Sequence, residues 1–224
     1  RVGVYATTTS TELFFRQGRM DEARPYFERA VGIARELANR RVEASHVGNL
    51  GIFHFTQGRP QEARVCFEEA LALSRAIGNR RGEGIWLSNL GVVAALEGRL
   101  AEAVATYRQA LELHQQTGDQ PTETETRTCL ASALLELGDL GAALDLYQQA
   151  LQALQSTGNL ERSRALCGMA RWQRLAAGQL SEAGRLLRQA EASFPDRSNP
   201  HRLMVLCERG HLEHESLPEW EGFQ

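Results

Sequence analysis

The sequence contains no lysine, and all 25 of its basic residues are arginine. The absence of lysine excludes Schiff-base and other lysine-dependent chemistry, and we attribute the bias to genome composition. With 28 acidic residues the net charge is −3, so no basic excess indicates binding to nucleic acid or to an anionic membrane. The sequence also lacks an apolar run of about 18 residues, the length that a membrane-spanning helix requires.

Patterns that carry catalysis or metal binding are missing as well. There is no Gly-Lys-Ser/Thr phosphate loop, and no serine can be assigned to a triad with histidine and aspartate. His46 and His54 lie two helical turns apart, but no carboxylate or cysteine completes a zinc site with them. We therefore expect a protein that is not an enzyme and binds no cofactor and no metal.

The cysteines are few and scattered. They show no CxxC or other metal-ligand spacing, and they are Cys66, Cys129, Cys167 and Cys207. Isolated cysteines on helices are usually small buried apolar residues. A disulfide framework is not expected, so the sequence favours a reducing, cytoplasmic location.

A unit of 40 residues occurs five times. Its first glycine recurs at Gly18, Gly58, Gly98, Gly138 and Gly178. An alanine follows five residues later, a bulky apolar residue four residues after that, and a second alanine three residues further on. In the second unit these are Ala63, Phe67 and Ala70. A fixed period of this length predicts stacked repeats, in which each unit buries its apolar face against its neighbours.

Each unit is predicted to contain two helices. In the second unit the first helix runs from Val42 to Gln57 and ends at Gly58, because glycine adopts the left-handed conformation of a helix C-terminus without steric cost. The second helix runs from Pro60 to about Ile77, with proline in its first turn. A second set of turn residues, also 40 apart, can cap the following helices: Asn39, Asn79, Asp119 and Asn159.

The charged residues are assigned to the surface. The arginines at the turns between units, Arg40, Arg41, Arg80 and Arg81, are interpreted as a solvated charge cluster. The carboxylates of Glu68, Glu69, Glu123 and Glu125 are likewise placed on surface faces, with no neighbour that would raise a pKa for acid–base catalysis.

The repeated residues resemble the tetratricopeptide repeat, which in the second unit appears as Leu50-Gly51, Gly58, Ala63, Phe67 and Ala70. The period is 40 residues rather than the usual 34 or so, which implies a longer second helix. Variants of this length resemble the arrays of kinesin light chain, of Leu-Gly-Asn-type adaptors and of bacterial regulators with a sensor array. The resemblance implies an all-α, right-handed superhelix of five repeats, at about 1–38, 39–78, 79–118, 119–158 and 159–194.

The remaining residues, 195–224, are expected to form a capping helix or part of a sixth repeat, followed by a tail. Two prolines, Pro195 and Pro200, separate this stretch from the fifth unit. The sequence begins with arginine rather than methionine, and we expect it to be a segment of a longer protein.

The resemblance implies a protein-interaction module that binds a peptide or helix in a concave groove, as the sensor or scaffold of a larger regulatory protein. In relatives with an Asn-Leu-Gly triplet, the asparagine amide commonly bonds the ligand backbone; here the triplet occurs at Asn49 and Asn89. By helical spacing the same face includes Ser45, Ile52, Thr56, Ile85, Val92, Leu96, Glu125, Ser132 and Trp172. The expected partner is a protein or peptide, not nucleic acid or membrane.

A structural role is the alternative. The fifth unit is weak, with Ala170-Arg171 where the third unit has Leu90-Gly91. Open ends of the array can leave apolar surface uncovered. The array would then form a homodimer through these ends, or pack on another part of its own chain, without a free peptide ligand.

Overall fold

The computed structural model describes residues 20–154, 159–193 and 205–211, except for the side chains of residues 20–23, 159 and 160. This part of the chain consists of helices and turns and contains no strand, which confirms the all-α prediction. The helices are α1 (Met20–Glu36), α2 (Arg40–Thr56), α3 (Pro60–Ala76), α4 (Arg80–Leu96), α5 (Leu100–Thr117), α6 (Gln120–Glu136), α7 (Leu140–Ala153), α8 (Asn159–Ala177) and α9 (Leu180–Ala192). Residues 205–211 are also helical.

Two parts of the predicted array lie outside the described residues. They are the first helix of the first repeat, together with most of the C-terminal stretch 195–224. The chain divides into two compact units, residues 1–122 and residues 123–224. We call them unit 1 and unit 2 and describe each by itself.

The turns follow the predicted 40-residue step. Gly58, Gly98, Gly138 and Gly178 have φ values between +63° and +84°, the left-handed conformation that ends a helix. Gly78 and Gly118, at the turns between successive repeats, also adopt the left-handed conformation. At the equivalent position before Asn39 the chain has Ala38, which adopts φ +49° although it carries a Cβ.

Predicted helix caps are present at Asn39 and Asn79. Oδ1 of Asn39 accepts a hydrogen bond from the backbone N–H of Val42, and Oδ1 of Asn79 accepts one from Gly82, both at 3.2 Å. Pro60 stands in the first turn of α3, as expected. The cap predicted at Asn159 concerns a side chain outside the described residues. Helix α3 continues through residues 72–76 before its turn, so the residues beyond Leu71 lengthen the second helix of this repeat.

In the second and third repeats, both in unit 1, the two helices approach closely at glycine. A Cβ added to Gly51 would lie 2.7 Å from the Phe67 ring, and one added to Gly91 would lie 2.5 Å from the Tyr107 ring. Phe67 is buried and stacks on Trp86 of the next repeat, with ring centroids 6.2 Å apart and planes 15° apart. The predicted core role of these aromatic residues is therefore confirmed.

In unit 2, α7 and α8 pack closely at glycine too. A Cβ at Gly168 of α8 would overlap the ring of Tyr147 on α7. Tyr147 is fully buried, and its hydroxyl shares a hydrogen bond of 2.8 Å with the Ser132 hydroxyl on α6. Burial raises the pKa of Tyr147 to about 12, so the phenol is neutral and bridges two helices.

Three of the four arginines at the turns differ from the prediction of a solvated cluster. Arg40 and Arg80 are exposed, but each pairs with a buried carboxylate three residues on, Glu43 or Glu83. Arg81 donates to Asp119 at 2.8 Å. Burial of Asp119 acts to raise its pKa, but the hydrogen bonds from Arg81 and Thr122 together lower it below the ordinary value.

The surface assignment of Glu123 is wrong. Its carboxylate is buried and pairs with Arg127 one turn along α6. Glu123 stands 40 residues after Glu83 and 80 after Glu43, which are also buried. The repeat therefore places a buried carboxylate in the first turn of α2, α4 and α6. Glu68, Glu69 and Glu125 are exposed, as predicted.

Candidate functional site

Eight of the predicted site residues lie on α2 and α4 in unit 1, and these two helices contact each other. On each helix four residues recur at spacings of three and four, which places them along one side. We call this surface the α2–α4 face; it consists of Ser45, Asn49, Ile52 and Thr56 on α2 and Ile85, Asn89, Val92 and Leu96 on α4.

The α2–α4 face combines accessible aliphatic side chains with half-buried amides. Leu96 is 69% exposed and Ile52 is 37% exposed. Asn49 and Asn89 are half-buried, and three residues further along their helices stand the aliphatic Ile52 and Val92. The surface therefore offers apolar contact area with polar groups set into it, the composition typical of a binding site.

The two amides differ in their bonding. Within the described residues, the side chain of Asn49 makes no hydrogen bond. Asn89 donates from Nδ2 to the carbonyl oxygen of Ile85 at 3.1 Å, and its Oδ1 accepts no bond. A half-buried amide carries two donors and one acceptor that burial makes costly to leave unbonded. Asn49 can therefore donate and accept at once to an extended peptide backbone.

The orientation of Asn49 is fixed by its neighbours in α2. A Cβ at Gly48 would overlap the Trp86 ring, and Gly51 lies against Phe67, so α2 cannot rotate without breaking these contacts. Because both rings are buried, Asn49 stands on a backbone held from two sides.

The hydroxyl groups on the face are less available. Oγ of Ser45 donates to the carbonyl oxygen of Arg41 at 3.1 Å, and Oγ1 of Thr56 donates to that of Phe53 at 2.8 Å. These bonds within the helix leave each hydroxyl oxygen as an acceptor only.

The three predicted site residues in unit 2 are engaged within that unit. Glu125 pairs with Arg164 at 3.1 Å. The hydroxyl of Ser132 is bonded to Tyr147 and also donates to the carbonyl oxygen of Thr128. Nε1 of Trp172 donates to the carbonyl oxygen of Leu140 at 2.8 Å. The eight predicted residues of unit 1 thus lie along one side of each of two contacting helices, whereas these three residues of unit 2 have internal partners.

The histidines of α2 have neutral side chains at physiological pH. Burial lowers the pKa of His46, and burial is also the main cause that lowers the pKa of His54. In the described residues no group of three or more histidine, cysteine or acidic side chains is placed to hold a metal ion. No helix of this part of the chain is long and apolar enough to cross a membrane.

The sequence interpretation did not assign Arg41 to the site. Arg41 is exposed in the first turn of α2 and continues the line of Ser45 and Asn49 at four-residue spacing. Its guanidinium makes no hydrogen bond or ion pair in the part of the chain that is described. The available signal was this spacing, which places Arg41 on the α2–α4 face rather than only at a turn.

Two family models for the tetratricopeptide repeat match the sequence. One matches residues 42–116 and again 122–196, and the other matches residues 12–41. A search of curated proteins gives no significant match. Together the matched ranges cover most of the chain.

Solved structures show the same fold. BtubC (BKLC) from P. vanneervenii is 19% identical with a TM-score of 0.75, over 89% of this chain and 85% of that one. A Podospora anserina protein described as a kinesin light chain is 21% identical with a TM-score of 0.67, over 85% and 94% of the two chains.

A third similar structure is a signal transduction ATPase (STAND) from Pyrococcus horikoshii with a tetratricopeptide repeat sensor. It is 14% identical with a TM-score of 0.70, and the match covers 97% of this chain but 34% of that protein. Since the family models match well over half of the sequence and the fold agrees, the chain belongs to the tetratricopeptide repeat family.

Proposed function

We propose that this chain binds an extended peptide segment of a partner protein on the α2–α4 face. Tetratricopeptide repeats are generally protein–protein interaction modules, and this supports the general role. The observation that carries the specific proposal is the unbonded, half-buried amide of Asn49 beside the exposed aliphatic Ile52.

Binding would satisfy groups that the free protein leaves exposed or unbonded. The amides of Asn49 and Asn89 would bond successive backbone groups of the ligand, which gives affinity with little dependence on its sequence. Aliphatic side chains of the ligand would cover Ile52, Val92 and Leu96, and this contact would supply the apolar part of the binding energy.

The test combines selection of peptides with substitution of the amides. A phage-displayed library of random 12-residue peptides is selected on the intact chain, and the affinities of selected peptides are measured by fluorescence anisotropy. Losing one or two neutral hydrogen bonds costs about 1–2 kcal/mol, so the double variant Asn49→Ala/Asn89→Ala should bind about 5- to 30-fold more weakly.

The control removes an amide elsewhere in the same unit. Gln116 is exposed near the end of α5 and is not part of the α2–α4 face, so Gln116→Ala should leave affinity unchanged. Far-UV circular dichroism checks that each variant remains helical. If the double variant binds as tightly as the wild-type protein, the two amides have no part in recognition.

We also propose that the chain is the sensor or scaffold portion of a larger regulatory protein. The match to one third of a signal transduction ATPase supports this proposal, because in that protein the tetratricopeptide repeats are the sensor. Isolation of the full-length parent, followed by limited proteolysis and mass spectrometry, would show whether the array is joined to a further folded domain.

Self-association is a second candidate, favoured by exposed leucines in unit 2. Leu175 is 54% exposed one turn beyond Trp172, whose indole is bonded to the backbone of the half-exposed Leu140. Light scattering after size-exclusion chromatography over a range of concentrations tests this candidate. A dimer that Leu175→Glu dissociates would support it, whereas a monomer at all concentrations would remove it.

A further inference from the structure

We propose that the peptide bound on the α2–α4 face carries an acidic side chain, and that Arg41 recognises it. This inference rests on the proposed function and specifies the chemistry of the partner. The ligand is thus an extended segment that combines aliphatic residues with aspartate or glutamate, and the guanidinium of Arg41 pairs with the carboxylate.

The first observation is the contrast between Arg41 and the other arginines of the same turns. Arg40 pairs with Glu43 at 3.0 Å, Arg80 with Glu83 at 3.4 Å, and Arg81 with Asp119 at 2.8 Å. Arg81 stands 40 residues after Arg41, at the equivalent position of the next repeat. The repeat therefore supplies a carboxylate partner for Arg81, while within the described residues Arg41 has none.

The second observation is the position of Arg41 relative to the amides. Arg41, Ser45 and Asn49 are spaced by four residues along α2, so they lie on the same side of the helix. Arg41 and Asn49 are eight residue steps apart, which is about 12 Å along the helix axis. An extended peptide covers this distance in about four residues, so one short segment can reach both groups.

The third observation is the charge of the surroundings. None of the eight residues of the α2–α4 face carries a charge. The nearby carboxylates Glu43 and Glu83 are buried in ion pairs with arginine. No carboxylate on the face competes for Arg41, and none repels an acidic ligand. A planar guanidinium can hold a carboxylate with two parallel hydrogen bonds, which gives direction as well as charge to the contact.

The experiment uses the intact chain and the peptides selected from the random library. Each selected peptide is synthesised in two forms, one with its aspartate or glutamate residues and one with asparagine or glutamine in their place. For a partly exposed ion pair, the acidic form should bind the wild-type protein about fivefold more tightly than the amide form. This preference should shrink as salt is raised.

A matched pair of variants assigns the preference to Arg41. Arg41→Gln should bind the acidic form about fivefold more weakly and should no longer distinguish the two peptides. Arg108→Gln removes the same charge from an exposed, unpaired arginine on α5, and it should keep the full preference. A preference lost equally in both variants would indicate the net charge of the protein rather than a site at Arg41.

The outcomes separate this inference from the proposed function. If peptides bind and the Asn49→Ala/Asn89→Ala variant weakens them, but acidic and amide forms bind equally to the wild-type protein, the role of Arg41 is refuted and the peptide groove stands. If no peptide is selected, the proposed function fails, and the inference fails with it.

Discussion

The close approach of helices at glycine predicts opposite effects for the same substitution at two positions. Gly91→Ala places a methyl group 2.5 Å from Cε1 of Tyr107, whereas Gly32→Ala meets no atom within 4 Å. Both glycines lie inside helices of unit 1, α4 and α1. Since the two substitutions are chemically identical, their difference measures packing alone.

The magnitudes follow from the two environments. Replacing glycine by alanine in a helix stabilises it by about 0.5–1 kcal/mol, because the unfolded chain loses freedom. At Gly32 this gain is the whole effect. At Gly91 the buried Tyr107 ring must move to reach an ordinary contact distance, and overpacking of this kind costs about 1–3 kcal/mol. The two variants should therefore differ by about 2 kcal/mol in the free energy of unfolding.

The assay is equilibrium unfolding in urea, followed by the fluorescence of Trp86. The other tryptophans are replaced in the background Trp172→Phe/Trp220→Phe, so the signal reports unit 1. This restriction is needed because units of a repeat protein can unfold separately, and then a global signal does not give one free energy. The reasoning is refuted if Gly91→Ala is as stable as Gly32→Ala.

Three further predictions concern unit 1. Ala38→Gly should raise its stability by about 1 kcal/mol in the same assay, because Ala38 adopts a left-handed φ of +49°. Glu43→Gln should destabilise unit 1 by about 1–3 kcal/mol, because the buried Glu43 carboxylate pairs with Arg35 and Arg40. As a control, Glu69→Gln changes an exposed carboxylate and should cost less than about 1 kcal/mol. Burial lowers the pKa of His46, so on acidification the unfolded state binds a proton at a higher pH than the folded state does. The free energy of unfolding should therefore fall as pH drops below about 6.5. Urea titrations at pH 7 and pH 5 measure this fall, and His46→Leu should reduce it.

The sequence predicts the helices and turns of the second repeat closely, because its local signals agree. Gly58 ends α2, Pro60 begins α3, and Asn39 caps α2, as their conformational preferences require. The contact of Gly51 with Phe67 is also predictable, since a small residue opposite a large one at a fixed repeat spacing indicates a helix crossing.

The ion pairs are harder to predict, because their partners come from other helices. Arg35 at the end of α1 reaches Glu43 in α2, and Arg81 in α4 reaches Asp119, 38 residues away in sequence. Glu123 was misplaced for a different reason, since its partner Arg127 lies in the same helix. A carboxylate in the first turn of a helix is an ordinary surface residue in sequence terms, and its burial depends on packing that the local sequence does not show.

The sequence predicts which residues of the candidate site share a helix face, but it does not predict their hydrogen bonds. Helical spacing correctly places Asn49 and Asn89 at equivalent positions on α2 and α4, yet it cannot show that Asn89 is bonded to Ile85 while Asn49 is unbonded. In the same way, the 40-residue period makes Ser132 equivalent in sequence to Ile52, but it does not indicate that the Ser132 hydroxyl is bonded to Tyr147.

These differences between equivalent positions indicate where a repeat array can acquire a ligand. Residues that keep both their type and their contacts from one repeat to the next, such as Gly51 and Gly91, build the stack. Arg41 and Arg81 keep their type and differ in contacts: Arg81 has the partner Asp119, whereas Arg41 has none in the part of the chain that the structure describes. Stacking does not use such a residue, which leaves it available to an external partner. The same reasoning applies to Asn49, so the two unbonded residues of α2 together define the face on which binding should be tested first.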